Sequence, residues 1–501
     1  MRATAAEHEM SLLQAIKTYK KAALWSILMS TSIVMEGYDT VLVSSFIGYP
    51  AFRQKYGVYH NEESGYQISS SWQAALSVCG SISNILGALL NGYFTGKYGH
   101  RFVSMTSLIG LTAFIFIVFF SPNLGVLLAG QFLCGISWGV FATSGPSYAA
   151  EVSPLALRGH LTSYANLCWT IGQFISAGVL RALVDNTTEW GYRIPFAVQW
   201  VWPVPLFLIA LFAPESPWYL VRVGKIAEAK KALMRLSEPE HNVDYDAAVA
   251  LMVHTDKMEK ENTAGTSYLD AFRGTNRRRT EIACMLFLSQ VADGSAFAYS
   301  ATFFFEQAGI SATASYGIGL GGTGIAFVGT LISWLYIGRF GRRTIWLWGF
   351  CLICTTLLLI GILASVKETL PVSYAQAVLC LIWLGGYSMS VGPIVYAIVS
   401  EIGSTRLRIQ TIVLGRSTYY LGGIFAGVIE PYFMSPTAWN LQGKTAFVWF
   451  GTAFLMTLWG YFRLPETKGR TFGEMEYLFK KRIPARKFGS FEVDEREEFQ
   501  C

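Results

Sequence analysis

Glu36 and Asp39 lie in "SIVMEGYDTVLV" (residues 32–43), inside an apolar run extending from about Ala22 to Phe46. A carboxylate at the centre of a membrane-spanning helix costs about 2.5–3.5 kcal/mol on insertion scales, so one that persists there usually has a function. The two are spaced i, i+3 and share one side of a helix. Close carboxylates in a low dielectric cannot both ionise easily. Such a pair can load a proton on one side of a membrane and release it on the other. The alternative is a salt bridge or polar contact that only joins helices. Arg416, in "VLGRSTYY", is a complementary ion in a second apolar run. Its guanidinium stays protonated and needs a carboxylate or a wet cavity. Glu36, Asp39, Asp293 and Glu430 are its candidate partners. A pairing that breaks when the acid takes a proton links proton occupancy to helix movement.

The elements that position these ions follow from composition. Hydrophobic residues make up 52% of the 501 and charged residues 14%, against about a quarter charged in soluble proteins. Runs long enough to cross a bilayer as helices, about 20 apolar residues, fall near 22–46, 72–95, 102–121, 124–149, 160–184, 195–213, 280–305, 313–338, 344–365, 373–400, 410–432 and 443–464. The chain therefore reads as an all-α, polytopic membrane protein with twelve spans. With the N-terminus cytoplasmic, 32 of the 39 Lys and Arg fall on the inner side, six on the outer side, and Arg416 within a helix. That asymmetry places both termini inside and accounts for the net charge of +6 without nucleic acid. The first 21 residues lack the apolar core of a removable signal peptide. Seven of the eight cysteines fall in predicted spans, which argues against a disulfide framework and a zinc site.

The expected organisation is a cytoplasmic segment (1–21), a six-helix bundle (22–213), a cytoplasmic helical linker (214–279), a second bundle (280–464) and a cytoplasmic tail (465–501). The linker contains "ESPWYLVRVGKIAEAKKALMRL", with Ser216 as N-cap and Pro217 at the first helical position. The mixed-charge tail beyond Thr471 reads as only partly ordered. The two halves echo each other. "GKYGHR" (96–101) returns as "GRFGRR" (338–343), "EVSPLALRG" (151–159) as "EIGSTRLRI" (401–409), and "PESP" (214–217) as "PETKGR" (465–470). Glu151 with Arg158, and Glu401 with Arg408, can form charge-assisted pairs. A duplicated six-helix unit with a midplane site between its halves is the architecture of the major facilitator superfamily.

The chain resembles the sugar-porter branch of that superfamily, and within it the fungal α-glucoside (maltose-type) permeases. "MEGYDT", "CGISWGVF", "PESPWYLVR", "NRRRTEIAC", "GPIVYAIVSEIGSTRLR", "PTAWNLQGKTAFVWFGT" and "PETKGRTF" carry the resemblance, from about Lys20 to Phe479. It implies that Asp39, the acid of "GYD", carries a proton. It also implies a latch between the halves, built from Lys97, Arg101, Glu151, Arg158, Arg339, Arg342, Arg343, Glu401 and Arg408. Simple positive-inside anchoring is the alternative role of those cations. The chain departs from the sugar-porter pattern at several positions. Gly96 and Gly338 replace loop acids, Lys97 replaces an arginine, Gln131 stands where general sugar porters often carry Arg, and Asn84 stands where the maltose-type pattern has an acid.

A sugar site needs amides and hydroxyls for the hydroxyl groups and aromatic rings for the C–H face. The fifth run offers Asn166 and Gln173, two turns apart, and the seventh offers Gln290 and Asp293. The tenth offers Tyr396 and the eleventh Tyr419 and Tyr420. By resemblance Gln173, Gln290 and Tyr396 match sugar-contacting positions best. For Asn166, Tyr419 and Tyr420, helix–helix packing competes with binding. Val291 and Ala296 stand where hexose porters carry Gln and Asn, which points away from a simple hexose.

No enzyme motif appears. The six histidines are scattered, and "GLGGTG" (319–324) lies inside an apolar run, where it serves helix packing rather than phosphate binding. The expected function is plasma-membrane uptake of an α-glucoside or other disaccharide, such as maltose, by symport with protons. A sugar sensor (transceptor) and an uncoupled facilitator are the alternatives on the same fold. The partners implied are a sugar, protons and the lipid bilayer, with no cofactor, no metal and no nucleic acid, and a monomer as the working unit.

Overall fold

The computed structural model describes residues 12–46, 50–61, 65–183, 186, 188–238, 244–262, 267–299, 312–366, 370–434, 439 and 441–491. Twelve spans follow one another in two groups of six. The first is Lys20–Ser30 with Ile33–Phe46, then Ser70–Tyr98, His100–Phe119, Leu124–Val152, Leu155–Leu183, and Trp190–Val198 with Pro203–Phe212. The second group is Asn276–Ala292 with Ser295–Tyr299, Ala312–Ile337, Arg342–Leu363, Leu370–Met389 with Val391–Ile402, Arg408–Met434 and Thr445–Arg463. Among the described residues, nine are apolar and long enough to cross a membrane by length and composition alone. The first, fifth and seventh are the exceptions. They are also the spans that carry Glu36 and Asp39, Asn166 and Gln173, and Gln290 and Asp293.

The breaks have local causes. At Thr31–Ser32 both hydroxyls bond back to helix carbonyls, of Ile27 and Met29, each at 2.9 Å. Such bonds compete with the backbone ladder and bend helices. In the tenth span Pro393 has no N–H to give the Met389 carbonyl. The hydroxyl of Tyr336, from the eighth span, donates to that carbonyl instead. The seventh span stops at Ala292, and Gly294 then takes φ +87°.

Packing within the first half relies on close backbone approach. A Cβ on Gly37 would stand 2.1 Å from the Trp169 carbonyl oxygen, and one on Gly172 2.1 Å from that of Val34. These two glycines let the first and fifth spans touch, the small-residue device of membrane helix packing. Buried cores form in each half. One gathers Tyr38, Phe46, Trp138 and Phe196, the other Phe287, Trp346, Phe350 and Trp383. A small antiparallel hairpin, Val58–Asn61 with Gly65–Gln67, joins the first two spans. It is too short to leave a strand pattern in the sequence, and the all-α reading omits it.

Between the halves lie the short helices Pro217–Arg222, Ile226–Leu236 and Tyr245–Asn262. Ser216 caps the first, its hydroxyl accepting the Tyr219 N–H, with Pro217 at the first position. The tail read as partly ordered forms a helix, Phe472–Lys480, whose residues Phe472 to Phe479 are all buried. Its start is fixed by a capping box between Thr471 and Glu474.

Candidate substrate and coupling site

Arg416 reaches across the two halves. It donates to Glu36 Oε1 at 2.8 Å, and the Tyr420 hydroxyl donates to the same oxygen at 2.7 Å. Its charge is also surrounded by rings. Tyr419 and Tyr420 lie 4.4 and 5.0 Å from the guanidinium carbon, and Phe287 and Tyr396 both 5.8 Å. Three of the tyrosines considered for sugar thus form a cage around the buried cation. Of the four acids open to Arg416, the structure selects Glu36. Glu430 accepts the Trp449 indole N–H at 2.8 Å. Asp293 ends the first piece of the seventh span and accepts the Ser295 N–H at 3.0 Å.

Glu36 and Asp39 part company despite their spacing. Three residues on a helix are about 60° apart in azimuth, enough for Glu36 to face the second half while Asp39 turns into the first. Asp39 is buried and accepts from the Gln199 side-chain amide at 2.9 Å. Gln131 and Trp138 of the fourth span line the same carboxylate. Gln199 was not among the residues singled out from sequence. Its signal was a lone amide in the otherwise apolar stretch "FAVQWVW".

The amides meet at Gly392, just past the break in the tenth span. Gln290 donates to the Gly392 carbonyl at 3.3 Å. A Cβ on Gly392 would stand 3.1 Å from Asn166 Oδ1, and Asn166 donates to Thr330 Oγ1 of the eighth span at 3.3 Å. One amide from each half therefore touches this glycine. Gln173 is buried two turns beyond Asn166.

At one end of the bundle, the repeated motifs build two matching networks. Glu215 accepts the backbone N–H groups of His100 and Arg101 at 3.1 and 3.3 Å; Glu466 accepts those of Arg342 and Arg343 at 2.7 and 3.2 Å. Each acid caps the positive end of a span. The neighbouring hydroxyls, Ser216 and Thr467, donate to Glu151 and Glu401. "PESP" and "PETK" thus supply a cap and a hydroxyl, a role not read from the sequence echo. Arg101 bonds the Ala210 and Leu211 carbonyls, and Arg343 that of Tyr461, closing the last turns of the sixth and twelfth spans. Lys97 lies over Tyr98, and its carbonyl accepts the Tyr219 hydroxyl. Arg339 is exposed, with its carbonyl accepting from Lys468.

Several of these contacts cross between halves. Glu151 pairs with Arg222 at 3.0 Å and lies 3.7 Å from Arg408. Arg222 also donates to the Thr405 carbonyl. Glu401 pairs with Arg342 at 3.2 Å, and Arg342 presses on Gly159 of the fifth span. Arg158 and Arg408, one from each half, both lie over the Phe472 ring, at 3.6 and 3.9 Å. Phe472 was not singled out from sequence, since a ring in a tail motif carries no sign of the two cations it will meet.

The family described as sugar (and other) transporter matches residues 25–479. The general alpha-glucoside permease of Saccharomyces cerevisiae is 38% identical over 500 residues, covering 98% of this chain and 80% of that protein. Maltose permease MAL31 of the same yeast is 37% identical over 494 residues, 97% of this chain and 80% of its own length. A solved structure of XylE, a proton:xylose symporter bound to 6-bromo-6-deoxy-D-glucose, has a TM-score of 0.78 at 21% identity. It covers 92% of this chain and 99% of that one, and at such identity speaks for the major facilitator fold.

Proposed function

This chain belongs to the sugar (and other) transporter family, and from that premise we propose that it carries an α-glucoside, a disaccharide such as maltose, into the cell together with a proton. Its relatives at 37–38% identity over nearly the whole chain are named α-glucoside and maltose permeases, which supports this substrate class. The protein works as a monomer in the plasma membrane with both termini in the cytoplasm, in line with the charge asymmetry of its loops.

The observation that carries the reading is the meeting of Asn166 and Gln290 at Gly392, beside a buried pair of ions that joins the same two halves. The bonds these amides make, both 3.3 Å, are long and therefore weak. Sugar hydroxyls can replace them without leaving a stronger partner unsatisfied. Gln173 extends the site along the fifth span, and Tyr396 offers a ring beside it.

Asp39 carries the proton. From the outer side it takes a proton on its carboxylate, which weakens its hold on the Gln199 amide. The charge change is passed to the interface through Glu36, one turn away on the same helix and paired with Arg416. The latch at the terminal end holds the halves together there while the site loads. Rocking of one half against the other then breaks the contacts of Glu151, Arg408 and Phe472, and the site opens to the cytoplasm.

Uptake of labelled maltose by cells lacking their own sugar permeases tests this, with and without a protonophore. Accumulation abolished by the protonophore is expected. Uptake that ignores it would mark a facilitator, and signalling without uptake a sensor.

A further inference from the structure

Asp293 takes no part in the Glu36–Arg416 cluster, yet its side chain is wholly buried in the second half. It closes the first piece of the seventh span, and Gly294 beside it turns the chain with φ +87°. Oδ1 accepts the Ser295 N–H at 3.0 Å and the Ser295 side chain also faces the carboxyl, while Oδ2 has no donor within hydrogen-bond distance among the described residues. Among the described residues, the stretches packed around it place no cation against its carboxyl. The tenth span gives Trp383, whose indole N–H goes to the Asp293 backbone carbonyl at 3.1 Å and whose ring stacks on Tyr387. The twelfth gives Trp449, against Gly294, and Thr452, whose hydroxyl donates to the Ala292 carbonyl; the ninth gives Leu357. The eleventh gives Tyr419 and Glu430, the latter holding the Trp449 indole. Among the described residues, Tyr419 is the titratable group that faces Asp293, with Tyr387 and Glu430 standing behind Trp383 and Trp449; none is positive, and Arg416 beyond Tyr419 is committed to Glu36.

An ionised carboxylate in that setting is an uncompensated buried charge, which a protein avoids by keeping the group neutral. We propose that Asp293 is a second proton-binding group of this protein, holding its proton on Oδ2 in the described state and releasing it when movement at Gly294 admits water. On release the Oδ2–H bond breaks, its electron pair stays on the carboxylate, and the proton passes to water as hydronium. Gln290 stands one turn before Asp293 on the same helix. One rigid piece thus carries both a sugar contact and a proton, so that loading one affects the placement of the other. This deepens the transport reading and rests on it for its purpose, but the protonation itself can be read without any transport.

Infrared spectroscopy of the purified full chain in lipid nanodiscs near neutral pH provides the test, with aspartate carboxyl carbons isotopically labelled so that Glu430 does not contribute. A protonated aspartic-acid carbonyl band is expected in the wild type, retained in the Asp39→Asn protein and lost when Asp293→Asn is added to it. Asparagine keeps the acceptor for Ser295, which preserves the turn. Absence of the band from the Asp39→Asn protein, or its persistence in the folded Asp39→Asn, Asp293→Asn double variant, overturns the proposal. If the chain moves no sugar, the band still decides the point. In reconstituted vesicles that do transport, fewer protons should move with each sugar in Asp293→Asn; an unchanged count overturns the release step.

Discussion

Arg416 of the eleventh span and Glu36 of the first are 380 residues apart in the chain and 2.8 Å apart in the fold. Both are buried, and each comes from a different half. The pair therefore makes the relative position of the halves sensitive to the charge on a single carboxylate. Breaking one partner of a buried pair leaves the other uncompensated, at a cost of about 3–5 kcal/mol. Glu36→Gln is expected to lose stability on that scale, measured as thermal unfolding of purified protein. Glu36→Gln combined with Arg416→Met should regain most of it. A single variant as stable as the wild type would show that the pair is not what joins the halves.

Gln290→Ala is expected to weaken sugar binding by about 1–3 kcal/mol, the cost of leaving a buried polar group unpaired. Surface delivery should be normal, because the amide's 3.3 Å bond to Gly392 contributes little to the fold. An unchanged apparent affinity in a normally delivered variant removes Gln290 from the site.

Phe472→Ala deletes the ring shared by Arg158 and Arg408. Two cations from opposite halves then face each other without the π surface between them. The terminal end should open more often, seen as faster labelling of a cysteine placed near Gly159, with slower sugar accumulation. Labelling at the wild-type rate would assign Phe472 to tail packing alone.

Asn186 begins the sequon Asn-Thr-Thr, in the connection between the fifth and sixth spans. The Thr188 hydroxyl and N–H both donate to its side-chain oxygen, at 2.6 and 3.0 Å. The proposed orientation puts it outside the cell. A membrane-impermeant label on an Asn186→Cys protein should react in intact cells; reaction only after permeabilisation reverses the topology.

The twelve spans were legible because each needs its own run of apolar residues, and the echoed loops because duplication leaves spaced copies. The buried ions were legible for the same reason, since charge is conspicuous in an apolar run. Their partners were not. Nothing near Arg416 distinguishes Glu36 from Glu430, because the choice depends on how spans from different halves pack. Spacing alone also suggested that Glu36 and Asp39 act on one face, whereas an angular step of one helical i, i+3 pair sends them to different halves. Gln199, Thr330 and Phe472 meet partners far away in the chain, so their residue types gave little sign of those contacts.

A proton carried on Asp39 is proposed to drive sugar movement. Asp39→Asn keeps the shape and an acceptor for Gln199 while removing the titratable group. The decisive measurement is the steady-state ratio of internal to external maltose in cells expressing this variant, at an acidic external pH that favours loading in the wild type. The ratio should fall to unity while sugar binding and exchange across the membrane persist. Accumulation of maltose against its gradient by the Asp39→Asn protein, abolished by a protonophore, would contradict it.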